Sequence, residues 1–170
     1  MNEFIGPSPL DPSHNLEAFD CGKEPLNDFL RLHALGKQNA RLSRTYVIGD
    51  SLRIVGYYTL AHISVQQDEL PSKLGRGMPR TVPAILMARF AVDLGAQRRG
   101  LGRSLFTDAI RRTWAVIESG AAPVRVFAVD AKDEDARSFY LRFDMIPSPH
   151  NPMRLYLSYK TIGQLFRDEE

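Results

Sequence analysis

The chain has 170 residues, of which 44% are hydrophobic and 25% charged, with one cysteine and a formal net charge of +2. That is the size and composition of one ordinary globular domain, and it excludes a disordered, collagen-like or coiled-coil protein. Cys21 alone excludes a disulfide framework and a cysteine-based zinc site, and no run approaches the roughly 18 apolar residues of a membrane span. The opening residues Met1 to Pro7 lack a basic flank and an apolar run, so the expectation is no signal peptide and a cytoplasmic address.

In chain order, the segment up to Pro12 reads as a loop or edge strand, being rich in proline and turn residues. A helix is predicted from Pro25, with Leu26, Phe29, Leu30, His33 and Ala34 on its apolar face. Arg44–Ile48 and Ile54–Val65 read as strands joined by the turn Gly49-Asp50-Ser51. Pro71 to Pro83 holds three prolines and two glycines and reads as a loop. Ala84–Val92 is a buried strand by length and apolarity. A long helix is predicted over Arg98–Glu118 with Leu101, Leu105, Ala109 and Ile110 inward, then a strand at Val124–Val129, a helix at Glu134–Arg142 and a strand at Met153–Tyr159. Trp114 and Tyr57 are expected in the core. The alternation predicts an α/β (α+β) domain, residues 1–170, with a mixed central sheet of about six to seven strands flanked by helices.

Charge is unevenly spread. Between Pro71 and Arg112 stand nine basic residues (Lys73, Arg76, Arg80, Arg89, Arg98, Arg99, Arg103, Arg111 and Arg112) against Asp93 and Asp108, a local +7. The remaining 13 basic and 18 acidic residues sum to −5. Such a stretch steers anions, and its arginine bias favours phosphate over mere solubility.

The chemistry concentrates between Leu86 and Leu105. A buried strand ends at Val92-Asp93, a short turn follows, and Gln97-Arg98-Arg99-Gly100-Leu101-Gly102 opens a helix. Glycines let backbone approach an anion, the first N–H groups of a helix have no internal partner, and the helix dipole adds positive potential. This is a diphosphate cradle. It is not a Walker A loop, since the Lys-Ser/Thr ending is absent. Nor is it a dinucleotide fingerprint, whose third glycine falls on Leu105.

A Gln/Arg-x-x-Gly-x-Gly/Ala motif after Ala88-Arg89-Phe90-Ala91-Val92-Asp93 resembles the GNAT acetyltransferases. Asp28-Phe29-Leu30, Arg44-Thr45-Tyr46-Val47, Val55-Gly56-Tyr57-Tyr58-Thr59-Leu60, Met78-Pro79 and Ala136-Arg137-Ser138-Phe139-Tyr140 extend the likeness to the GNAT toxins of toxin–antitoxin pairs. One departure stands after the Phe-Tyr pair: where the family usually continues to Gly-Phe, this chain has Leu141-Arg142-Phe143-Asp144-Met145.

The resemblance implies a GNAT fold and transfer of acetyl from acetyl-CoA to the α-amino group of aminoacyl-tRNA, blocking translation. The alternatives are a GNAT enzyme acting on small-molecule or protein amines, and a non-catalytic basic module. The resemblance further implies that Ala91, Val92, Asp93, Gln97, Arg98, Arg99, Gly100, Leu101, Gly102, Arg103, Ser104 and Ser138 hold acetyl-CoA. A backbone N–H between Ala91 and Asp93 would meet the oxyanion, and Tyr140 would protonate the leaving thiolate. Arg76 and Arg80 are candidate tRNA contacts. Arg89, read as a buried strand arginine, is either an RNA-phosphate contact or a structural ion pair. No metal is expected, because His14, His33, His62 and His150 lack ligand spacing. The implied partners are aminoacyl-tRNA, a small DNA-binding antitoxin with a disordered tail, and a second copy in a homodimer.

Overall fold

A computed structural model describes residues 3–168. Its strands are β1 (Ile5–Pro9), β2 (Arg44–Gly49), β3 (Ile54–Gln66), β4 (Thr81–Val92), β5 (Val126–Asp130), β6 (Ile146–Pro147) and β7 (Arg154–Ser158). The α-helices are α1 (Glu24–Asp28), α2 (Ala34–Asn39), α3 (Ser72–Gly75), α4 (Leu101–Ser119), α5 (Glu134–Leu141) and α6 (Tyr159–Arg167). The sheet has seven strands in the order β1-β2-β3-β4-β5-β7-β6. β1, β2 and β3 pair antiparallel, β4 and β5 pair parallel, and β7 pairs antiparallel with both β5 and β6. A parallel pair needs a long crossover, and α4 supplies it. Among the described residues no helix is long and apolar enough to cross a membrane.

The residues fall into two compact units. The first comprises the chain up to Ala61 together with Ala88–Ala109; the second comprises His62–Met87 and the chain from Ile110 onward. In the first, Leu10, Phe19, Phe29, Leu30, Ala34, Val47, Ile54, Tyr57 and Ala91 form a hydrophobic core. The Tyr57 ring meets Phe19 edge-on at 5.6 Å, and its hydroxyl donates to the Leu26 carbonyl at 2.7 Å. A buried Thr45–Thr59 hydroxyl pair at 2.7 Å satisfies both side chains across β2 and β3. Between α1 and α2 the helix widens into a π segment, Phe29–His33, closed by the Ala34 N–H on the Phe29 carbonyl. That extra residue rotates His33 into solvent while Ala34 stays buried, so His33 leaves the apolar face predicted for it.

In the second unit Val65, Leu70, Val82, Ala84, Val126, Ala128 and Tyr156 form the core. α6, absent from the sequence reading, is capped by the Ser158 hydroxyl on the Thr161 N–H at 3.1 Å. Gly163 sits under Trp114, where an added Cβ would come within 2.9 Å of the ring. Trp114 is half-buried rather than a core residue and stacks on Phe166 at 6.5 Å.

The remaining differences have local causes. The expected loop at 71–83 contains α3 and the start of β4. The opening segment is the edge strand β1. α4 starts at Leu101 instead of Arg98, because Arg98 and Gly100 stand in the left-handed region at φ 65° and 77°. A helix cannot begin before such residues end. Within α4, Leu101, Leu105, Ala109 and Ile110 are all buried, as their spacing predicts.

Candidate functional site

In the first unit β4 delivers its end to a tight turn. Asp93 closes β4 with its N–H on the Val55 carbonyl at 2.8 Å, then caps the 3₁₀ turn Leu94–Ala96 by accepting the Gly95 N–H at 2.8 Å. Its carboxylate also accepts the Asp20 N–H at 3.0 Å and lies 3.4 Å from an Arg53 guanidinium nitrogen. The Asp93 side chain is therefore taken up inside the protein, and its N–H is committed to β3. Of the Ala91–Asp93 backbone considered for the oxyanion, the Asp93 N–H is thus already engaged.

Beyond Ala96 the chain turns outward. Gln97, Arg98, Arg99 and Gly100 are exposed, and the Gln97 amide donates back to the Val92 carbonyl at 3.1 Å. Nothing lies within 4 Å of where a Gly100 Cβ would stand. α4 follows with no acid in its first turn, and the Ser104 N–H makes an early helical bond to the Gly100 carbonyl at 3.1 Å. Arg103 and Ser104 are exposed as well. Outward-facing helix N–H groups, an open glycine and three arginines suit a diphosphate.

Arg89 lies on β4 in the same unit, exposed rather than buried. Its guanidinium stands 4.8 Å from the Phe29 ring centroid and donates to the Ala88 carbonyl at 2.9 Å. No carboxylate partner accompanies it among the described residues, and the cation is held over an aromatic face. Burial raises the pKa of the nearby Tyr57 phenol far above its ordinary value, Cys21 adds to the rise, and Arg89 opposes it.

Tyr140 belongs to the second unit, near the end of α5. The helix is capped by Asp133, which accepts the Ala136 N–H at 2.8 Å, and carries Glu134 and Asp135 in its first turn. Tyr140 is 3% exposed. Burial first, then the charges of Asp130 and Asp133, push its phenol well above the usual range, so it stays protonated and can act as a donor. Past the helix, in the stretch where the usual Gly-Phe is missing, Asp144 takes φ 62°. Its N–H donates to the Leu141 carbonyl at 3.2 Å, and that of Phe143 to the Tyr140 carbonyl at 3.0 Å. Aspartate is among the few side chains that tolerate this left-handed helix end.

Ser138 is exposed on α5, and Arg76 and Arg80 are exposed around α3 and the start of β4. Arg76 borders a hollow of about 350 Å³ shared with Gln67, Asp68, Leu70, Ser72 and Gly75. Among the described residues no group of three or more His, Cys, Asp or Glu side chains is arranged to hold a metal. Sequence reasoning missed Arg53, which looks like one more turn residue after Gly49-Asp50-Ser51 and carries no local signal of its distant partner.

Known proteins resemble this chain along nearly its whole length. A "tRNA-acetylating toxin" of Mycobacterium tuberculosis (strain ATCC 25618 / H37Rv) is 36% identical over 168 residues, 99% of this chain and 100% of that protein. The solved structure of AtaT complexed with acetyl-methionyl-tRNAfMet is 28% identical with a TM-score of 0.82, covering 98% of each chain. A tyrosine-to-phenylalanine variant of AtaT, bound to the C-terminus of the antitoxin AtaR and to acetyl-CoA, is 27% identical with a TM-score of 0.77, covering 98% of this chain and 97% of that one. No protein-family model matches the chain.

Proposed function

Since this chain belongs to the family of tRNA-acetylating toxins with the GNAT fold, we propose that it moves an acetyl group from acetyl-CoA to the α-amino group of aminoacyl-tRNA and so blocks translation. The observation that carries this reading is the 36% identity to a tRNA-acetylating toxin over 99% of the chain. Residues 1–170 are read as one acetyltransferase domain.

The turn Gln97–Ser104 receives the coenzyme diphosphate, with backbone N–H groups at the start of α4 and the charges of Arg98, Arg99 and Arg103. Its open glycine fits a bulky anion, since no atom lies within 4 Å of the missing Cβ. Acetyl-CoA supplies an acetyl group activated as a thioester. The nucleophile needs little help: a free α-amino group has a pKa of about 7.7–8.0, and an adjacent ester lowers it, so much of it is neutral at cellular pH. Its nitrogen bonds to the acetyl carbon while a backbone N–H of Ala91 or Val92 steadies the developing oxyanion. The carbon–sulfur bond then breaks, the Tyr140 hydroxyl gives its proton to the departing sulfur, and the proton released by the amine restores the phenol. Arg76, Arg80 and Arg89 bind tRNA phosphates, which position a substrate without reading its sequence, and Ser138 adds a coenzyme contact.

The setting implied by the resemblance is a cytoplasmic enzyme, as a homodimer, silenced by a small DNA-binding antitoxin whose disordered tail folds onto it. The solved AtaT bound to the C-terminus of AtaR supports that pairing. Mass spectrometry of charged tRNA after incubation with protein and acetyl-CoA tests the activity. N-acetyl-aminoacyl-tRNA is the expected product, and Tyr140→Phe is expected to slow its formation about a hundredfold or more. Charged tRNA left unmodified while polyamines or peptides are acetylated would refute the substrate.

A further inference from the structure

Arg53 takes no part in the chemistry above, yet it is fixed at the root of the diphosphate turn. One guanidinium nitrogen lies 3.4 Å from Asp93 Oδ2, and the other would stand 3.5 Å from a Cβ on Gly95. Asp93 is only 4% exposed, and its remaining bonds all hold backbone: Oδ1 takes the Gly95 N–H and Oδ2 the Asp20 N–H. The contact is returned, for the Leu94 N–H donates to the Asp20 carbonyl at 2.8 Å. The Asp20 carboxylate accepts the Gly22 N–H at 2.9 Å and the Asn27 amide at 3.0 Å. Asn27, 2% exposed, in turn accepts the Cys21 N–H at 2.9 Å. One polar chain thus runs from α1 through residues 20–22 to the turn.

A buried carboxylate persists only with its partners in place. Without Arg53, Asp93 keeps two neutral donors for a full charge. The cheapest relief is rotation of the Leu94–Ala96 turn toward water, and that turn leads directly into Gln97–Gly100. We propose that the Arg53–Asp93 pair, backed by Asp20 and Asn27, is a positioning clamp that aims the N–H groups of the turn at the coenzyme diphosphate. The proposal rests on the reading that this turn binds the diphosphate. Arg53 acts through Asp93 and is a positioning residue.

Steady-state acetylation of charged tRNA with two donors, acetyl-CoA and S-acetyl-pantetheine (which lacks the diphosphate), tests it. Arg53→Met is expected to raise the KM for acetyl-CoA about tenfold, with turnover at saturation and kcat/KM for S-acetyl-pantetheine within about twofold of the parent. Arg53→Lys is expected to recover most of the loss. Gly95→Ala is the second probe: its Cβ would press on Asp93 Oδ1 at 3.2 Å, shifting the carboxylate against Arg53 while keeping both charges, and it is expected to follow Arg53→Met. If Arg53→Met does not fold, Gly95→Ala and Arg53→Lys decide. An unchanged KM for acetyl-CoA, or a loss equal for both donors, would overturn the clamp. A parent enzyme that uses the two donors equally well would overturn the diphosphate reading itself, and the clamp with it.

Discussion

Gly100 and Gly120 form a matched pair that separates what a residue does for the fold from what it does for the coenzyme. Both hold left-handed backbone, at φ 77° and 69°, and neither has any atom within 4 Å of where a Cβ would stand. Gly100 sits in the turn before α4, and Gly120 just after that helix. Replacing either with alanine therefore brings backbone strain and no collision. A side chain in this conformation costs about 1–2 kcal/mol, which lowers the melting temperature of a chain this size by roughly 2–8 °C. The expected losses of stability are similar. Coenzyme affinity is where the two part. The methyl group of Gly100→Ala occupies the open space offered to phosphate oxygens, and the relaxing turn swings N–H groups away. A loss of about tenfold in acetyl-CoA affinity is expected, against none for Gly120→Ala. Paired thermal denaturation and calorimetric titration with acetyl-CoA measure both quantities. Equal coenzyme affinity for the two variants, at equal stability cost, would refute the role given to the turn.

Arg89→Ala is expected to weaken aminoacyl-tRNA binding and to lower the slope of log affinity against log salt by about one, with acetyl-CoA affinity unchanged, in salt-dependent binding assays. Asp144→Gly is expected to stabilise the protein by roughly 0.5–1 kcal/mol in denaturant unfolding, because glycine holds φ 62° without strain. The alkaline limb of stability follows from Tyr57 and Tyr140, whose phenols are raised by burial. Near neutral pH they are protonated folded and unfolded, so they contribute no slope there. Above about pH 10 the unfolded phenols ionise while the buried ones resist, so stability falls by about 1.4 kcal/mol per pH unit for each. Tyr140→Phe is expected to flatten that fall in denaturation measured between pH 9 and pH 12.

The local pattern of residues determined much of this protein. Periodicity located the apolar stripe of α4, alternation and length located β2, β3 and β4, and the spacing of Gly100 and Gly102 after a buried strand singled out the turn proposed to receive the diphosphate. Each signal is written within about ten residues, because helix faces, strand lengths and turn glycines are set by neighbours along the chain. Tertiary structure decided the rest. α6 carries no signal in the local pattern after the strand ending at Tyr159, whereas in the fold Gly163 lies against Trp114, where an added Cβ would come within 2.9 Å of the ring. Arg89 read as a buried cation, yet it lies exposed over Phe29. Asp93 read as a coenzyme contact, but its carboxylate is bound to Arg53 and Asp20. Those partners stand 40 and 73 positions earlier in the chain, and only folding brings them to the end of β4. What a charge does depends on the groups that surround it, and no local pattern specifies which distant residues those are.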